Sequence, residues 1–187
     1  FCVYDCCANA DGAACVILAD EERARAMAGD KVVWLDGVGA ATASMSVLRR
    51  PNLVGLPSAQ EAGRQAYEMA GVGPRDIKVA EVHDCFTIAE LMAYEDLGFC
   101  DKGKGGQYIH EKQSYIGGGG VAVNVDGGLK AKGHPIGATG VSMAYEIIQQ
   151  LRGNADKERQ VPGADVGLTH NVGGIGQYTF VNVFRRD

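Results

Sequence analysis

The chain has 187 residues, a net charge of −5, 46% hydrophobic and 22% charged residues, which is enough for one domain with a real core in the balance of a soluble globular protein. No Lys/Arg stripe is present, which argues against nucleic-acid binding, and no apolar run approaches the roughly 20 residues that span a bilayer. Neither end reads as a signal peptide or a retention tag.

The 27 glycines suit tightly packed α/β layers with many short turns. The 6 cysteines match no zinc framework, so no metal is expected. They read as reduced thiols in a cytoplasmic compartment, with Cys2, Cys6, Cys7 and Cys15 as small buried hydrophobes. The first residue is Phe1, and the opening residues read like mid-domain sequence, as expected of a fragment or processed piece.

In chain order, Asn9 to Gly12 form a turn and Ala13 to Ala19 read as a short buried strand. Asp20-Glu21-Glu22 open a helix, with acid in its first turn, that ends at Gly29. Lys31 to Val38 predict a strand, and Arg49 to Pro57 a loop. Ser58 is placed to cap a helix over Ala59 to Ala70. Asp76 to Val82 predict a strand and Thr87 to Leu97 an amphipathic helix. Asp101 to Gly120 read as a polar, glycine-rich excursion loop.

Val121 to Val125 predict a strand, followed by an Asp-Gly-Gly turn at Asp126. Lys130 and Lys132 beyond it read either as part of a local anion patch or as solvated loop lysines. Val141 to Leu151 predict a helix. Asp165 to Thr169 and Gln177 to Phe184 predict strands, with His170 to Gly176 as the turn between them. Repeated βα units with a closing strand pair predict an α/β fold, a mixed sheet covered by helices on both faces.

Three of the 4 histidines end apolar segments beside small or polar residues. His83-Asp84-Cys85-Phe86 follows a predicted strand. Gly133-His134-Pro135-Ile136-Gly137 precedes a helix, and His170-Asn171-Val172-Gly173-Gly174 follows another apolar run. A histidine among small residues can exchange protons near neutral pH while backbone and substrate approach closely. The plainer readings stay open: a tight turn at His134, a core histidine at His83 pairing with Asp84, a structural thiol at Cys85, and a turn-holding His170.

Together the motifs resemble thiolases, and among them the sterol-carrier-protein-type branch with its archaeal relatives. His83-Asp84-Cys85-Phe86 resembles that branch's signature, the glycine-histidine-proline motif is shared across thiolases, and His170-Asn171 resembles the branch's C-terminal motif. The resemblance spans essentially the whole chain and covers the C-terminal half of a family member. It implies a thiolase fold, layered αβαβα in the whole enzyme, with residues 1–28 ending the N-terminal half and 29–187 forming the C-terminal half.

The activity implied is acyl transfer on acyl-CoA, either acetyl transfer between acetyl-CoA and acetoacetyl-CoA or thiolysis of a 3-oxoacyl-CoA. Alternatives are a retro-aldolase acting on a 3-hydroxyacyl-CoA and a non-catalytic scaffold subunit. The resemblance implies His134 as the base for the nucleophile, Cys85 as the α-carbon proton carrier and His83 as the enolate donor. His170 would orient them, and the Gly173 and Gly174 N–H groups would serve an oxyanion. The family's nucleophilic cysteine lies in the N-terminal half, and no cysteine here matches it. No permanently bound cofactor is implied. Expected partners are acyl-CoA, the N-terminal thiolase half, further copies in a homodimer or homotetramer, and a small CoA-shuttling accessory protein.

Overall fold

A computed structural model describes residues 2–186; Phe1 and Asp187 lie outside the described residues. Its elements in chain order are α1 (Glu21–Ala28), β1 (Val33–Thr42), α2 (Pro57–Ala70), β2 (Val79–Val82), α3 (Thr87–Asp96) and α4 (Gly105–His110). They continue with β3 (Ala122–Val123), α5 (Gly128–Lys132), α6 (Thr139–Arg152), β4 (Val166–Gly173) and β5 (Tyr178–Arg186).

The strands form one mixed sheet in the order β1-β5-β4-β2-β3. β5 pairs antiparallel with β1 and β4, while β2 pairs parallel with β4 and β3. Strand alternation sorts β2 between two cores. Ala80 and Val82 face the core built with Ala62 and Ala66 of α2 and Tyr94 of α3. Val79 faces the other, with Ile147 and Leu151 of α6 and Phe184 of β5. The expected α/β sheet with helices on both faces is therefore present. β1 lies close on α2, and a Cβ at Gly39 would stand 1.8 Å from the Ala62 carbonyl oxygen. That backbone contact explains why glycine interrupts an otherwise β-prone run.

Several local expectations change. Residues 13–19 form no strand, and Ile17 and Leu18 are 84% and 81% exposed. An apolar strand needs a ladder partner, and none of the five strands of this sheet pairs with them. Cys2, Cys6 and Cys15 are exposed and Cys7 is half-buried, because the segment that carries them lies on the surface. The helix cap is also different. Pro57 sits in the first turn with Leu56 as N-cap, and the Ser58 hydroxyl is buried, donating to the Gly176 carbonyl at 2.8 Å.

The 101–120 excursion contains α4, and residues after the Asp-Gly-Gly turn form α5. β4 runs on through His170 to Gly173, so His170 is a strand residue paired with Val181 across the ladder. The sequence reading ended that strand at Thr169 because histidine and asparagine look like turn residues; burial between neighbouring strands overrides that tendency. The lysines stay in reach of solvent, and both are engaged. Lys130 donates to the carbonyls of Tyr4 and Cys6, and Lys132 pairs with Glu81 and Asp126.

Candidate active site

Three chain segments meet at one end of the parallel strands. β2 delivers His83, Asp84 and Cys85 immediately after Val82, and Val82 is registered with His170 on β4. The loop from α5 to α6 carries His134. A fourth segment ties these together. Cys7 N–H donates to the Cys85 carbonyl at 2.9 Å, and His134 N–H donates to the Ala8 carbonyl at 3.3 Å. Cys6 and Phe86 form an isolated antiparallel bridge beside them.

The imidazoles of His83 and His134 meet edge to face, with ring centroids 4.9 Å apart and planes 84° apart. His134 Nδ1 lies 2.6 Å from Thr139 Oγ1, and that hydroxyl donates to the Pro135 carbonyl at 3.2 Å. With the hydroxyl proton committed there, Thr139 accepts from His134 Nδ1–H. The tautomer assigned by this network leaves Nε2 with a free lone pair, as a general base needs. The Thr139 link was not foreseen. Its only trace in the sequence is a threonine one helical turn after a His-Pro pair.

His83 is buried, and its Nδ1 has no hydrogen-bond partner among the described residues. Burial first, then the neighbouring His134 and His170, lower its pKa to about 3. His170 is fully buried, neither ring nitrogen has a partner among the described residues, and burial lowers its pKa to about 4. Burial also lowers His134, with Asp84 pulling the other way. All three rings are therefore neutral near neutral pH. Neutral imidazoles can present one donor and one acceptor each, and buried polar atoms without partners are uncommon in a finished fold.

Cys85 is half-buried, and burial, then Cys7 and Asp84, push its thiol up to about 11. Such a thiol stays protonated at neutral pH, which suits a proton donor and not a resting thiolate nucleophile. Asp84 does not pair with His83. Its carboxylate accepts the backbone N–H groups of Leu129 at 2.8 Å and Lys130 at 3.3 Å, fixing the start of α5. Gly128 has φ +60°, and a Cβ there would come within 2.3 Å of the Asp84 carboxylate. Glycine is therefore required at that position.

Gly173 ends β4 and Gly174 opens the hairpin with φ +61°, packed near Tyr178 and Gln177. Two open clefts adjoin the site segments, one reaching Asp84 and the other Pro135. One of about 430 Å³ is lined by Asp84, Tyr115, Ile116, Val125 and Lys130 among others. The other, of about 420 Å³, is lined by Gly12, Pro135, Ile136 and Gly137 among others. The four candidate side chains line neither cleft; the structure brings the three histidines together, with Cys85 two residues beyond His83.

Residues 39–186 match the family described as thiolase C-terminal domain-like, and the chain belongs to that family. It is 43% identical to an acetyl-CoA acetyltransferase of Methanothermobacter thermautotrophicus, over 98% of this chain and 47% of that protein. It is 41% identical to sterol carrier protein 2 of Rattus norvegicus, over 98% of this chain and 34% of that protein. A solved structure titled Ltp2-ChsH2(DUF35) aldolase superposes with a TM-score of 0.70 at 24% identity, covering 81% of this chain and 38% of that one; this is a likeness of fold. The chain thus spans less than half the length of these curated relatives. Among the described residues no helix is long and apolar enough to cross a membrane.

Proposed function

We propose that this chain is the proton-transfer half of a thiolase acting on acyl-CoA thioesters, in acetyl transfer between acetyl-CoA and acetoacetyl-CoA or thiolysis of a 3-oxoacyl-CoA. The observation that carries the reading is the edge-to-face contact of His83 and His134, with His134 Nε2 left free by the Thr139 hydrogen bond. The acetyl-CoA acetyltransferase name of relatives such as the archaeal one supports the acyl group and the carrier. In this reading residues 29–187 form the C-terminal thiolase half, and residues 1–28 end the N-terminal half that supplies the nucleophilic cysteine.

For thiolysis, the enzyme's thiolate attacks the 3-keto carbonyl of the substrate. The bond between the α and β carbons breaks, and its electron pair passes to the α carbon as an enolate of the departing acyl-CoA. His83 donates to the thioester oxygen while that charge is present. Cys85 gives its proton to the α carbon, completing acetyl-CoA. CoA then attacks the acyl-enzyme, its thiol proton passing to the Cys85 thiolate, and His134, which took the proton of the nucleophilic cysteine at the start of the cycle, returns it as that thiolate departs. His170 orients the other rings, and Gly173 and Gly174 offer backbone N–H groups to the tetrahedral oxyanion. No permanently bound cofactor takes part. A homodimer or homotetramer, with a small accessory protein delivering CoA substrates, completes the proposal.

The test is turnover of acetoacetyl-CoA with CoA by the complete protein. His134→Ala is expected to lower it by about 10²–10⁴-fold with the fold intact. Undiminished turnover would exclude His134 as the base.

A further inference from the structure

Behind the histidine pair lies a second pair with the same spacing. Glu81 precedes His83 by two residues on the β2 segment, and Lys132 precedes His134 by two residues at the end of α5. Strand alternation turns Glu81 toward the α6 side of the sheet, away from Ala80 and Val82. Its side chain is completely buried, and Lys132 Nζ lies 3.4 Å from its Oε2. Lys132 also bonds Asp126, so one ammonium joins β2 to the turn that starts α5. The Glu81 Oε1 has no hydrogen-bond partner among the described residues. Burial, then Asp126, push the Glu81 carboxyl well above its ordinary range, with Glu146 of α6 adding to this and Lys132 opposing it. Arg159 holds Glu146 from the other side at 2.8 Å.

The His134 ring is held by Thr139 and by contact with His83, but the backbone between Lys132 and Pro135 has no hydrogen bond to the sheet among the described residues. Gly133 takes φ +85° and donates to Leu129 within its own helix, and His134 N–H reaches only Ala8. A chain with a left-handed glycine directly before the functional residue can swing about that glycine unless the residue before it is held. Burying the Glu81 carboxyl is costly, and an ion pair to a partly exposed lysine returns little of that cost. A stability role alone therefore explains it poorly.

We propose that Glu81 and Lys132 are positioning residues: the bond from the partly exposed Lys132 to the buried Glu81 clamps the end of α5 to β2 and thereby sets the His134 ring against His83. The proposal rests on the proton-transfer reading of the two histidines for its functional consequence, but its geometric content stands apart. Lys132 does not touch substrate; it acts through His134.

The experiment measures amide hydrogen exchange and steady-state kinetics on the complete protein and on Lys132→Met, Lys132→Arg and Glu81→Gln. Lys132→Met is expected to speed exchange at Gly133 and His134 by about 10-fold or more, with the amides of β2 and β4 still protected. It should lower kcat by roughly 10–100-fold, since misplacing a catalytic group by about 1 Å can cost 10²-fold, while KM changes less than about twofold. Lys132→Arg keeps the charge and is expected to restore most of both. If Lys132→Met fails to fold, Glu81→Gln carries the test, with a smaller rise in exchange at the same two amides. Unchanged exchange there in a folded variant overturns the clamp. That readout needs no turnover, so failure of the proposed function, seen as undiminished activity in His134→Ala, is separately visible.

Discussion

His134 meets His83 edge to face at a ring-centroid distance of 4.9 Å, and the same His134 ring is oriented from its other side by Thr139. A histidine held at Nδ1 presents Nε2 in one direction only. Removing the holder should therefore free the ring without removing the base. Thr139→Val is expected to lower kcat by about 10-fold or more, and Thr139→Ser, which keeps the hydroxyl, to retain most activity. Steady-state kinetics on the two variants checks this. Equal activity in the valine variant would mean that packing alone orients the ring.

The anchor at the start of α5 makes a structural prediction. Gly128→Ala would add a methyl within 2.3 Å of the Asp84 carboxylate at a φ of +60°. A non-glycine residue forced into that region costs about 1–3 kcal/mol, and the clash adds to it. Thermal unfolding should show a lower midpoint for Gly128→Ala. An unchanged midpoint would mean that Asp84 moves away from the Leu129 and Lys130 amides at no cost.

Much of the architecture was legible in the sequence because its signals are local. Apolar runs marked β2 and β4, Asp20 marked the start of α1, and its side chain does accept the Arg23 N–H. Glycines closed α2 and α6 in left-handed caps. The failures have long-range causes. Residues 13–19 have strand composition but no ladder partner in this sheet, and His170 has turn composition but sits in a ladder. The motifs drew attention to the three histidines, while Thr139 and the Glu81–Lys132 pair stayed hidden. A hydrogen bond across five residues and an ion pair across 51 leave no periodic trace.

Acid stability follows from the buried rings. The pKa of His83 falls to about 3 and that of His170 to about 4, both below the 6.5 of a free imidazole. Between those values the unfolded chain binds protons that the native state does not, so stability falls as pH drops below about 6.5. Each ring is expected to remove about 2 kcal/mol by about pH 5, at 1.36 kcal/mol per unit. Unfolding midpoints should drop from pH 7 to pH 5, and His170→Gln should drop less. An equal drop in the variant would show that His170 is not neutral in the native state.

The most direct test of the proton-transfer assignment separates the two half-reactions in Cys85→Ser. The raised thiol of Cys85 is assigned to the α carbon and His134 to the nucleophile. On the complete protein, burst-phase acylation by a simple thioester and carbon–carbon condensation of acetyl-CoA are measured on the same preparation. The account predicts near-normal acylation in Cys85→Ser with condensation reduced by about 10²-fold or more. Condensation at the wild-type rate would contradict it, and so would loss of acylation in a folded variant.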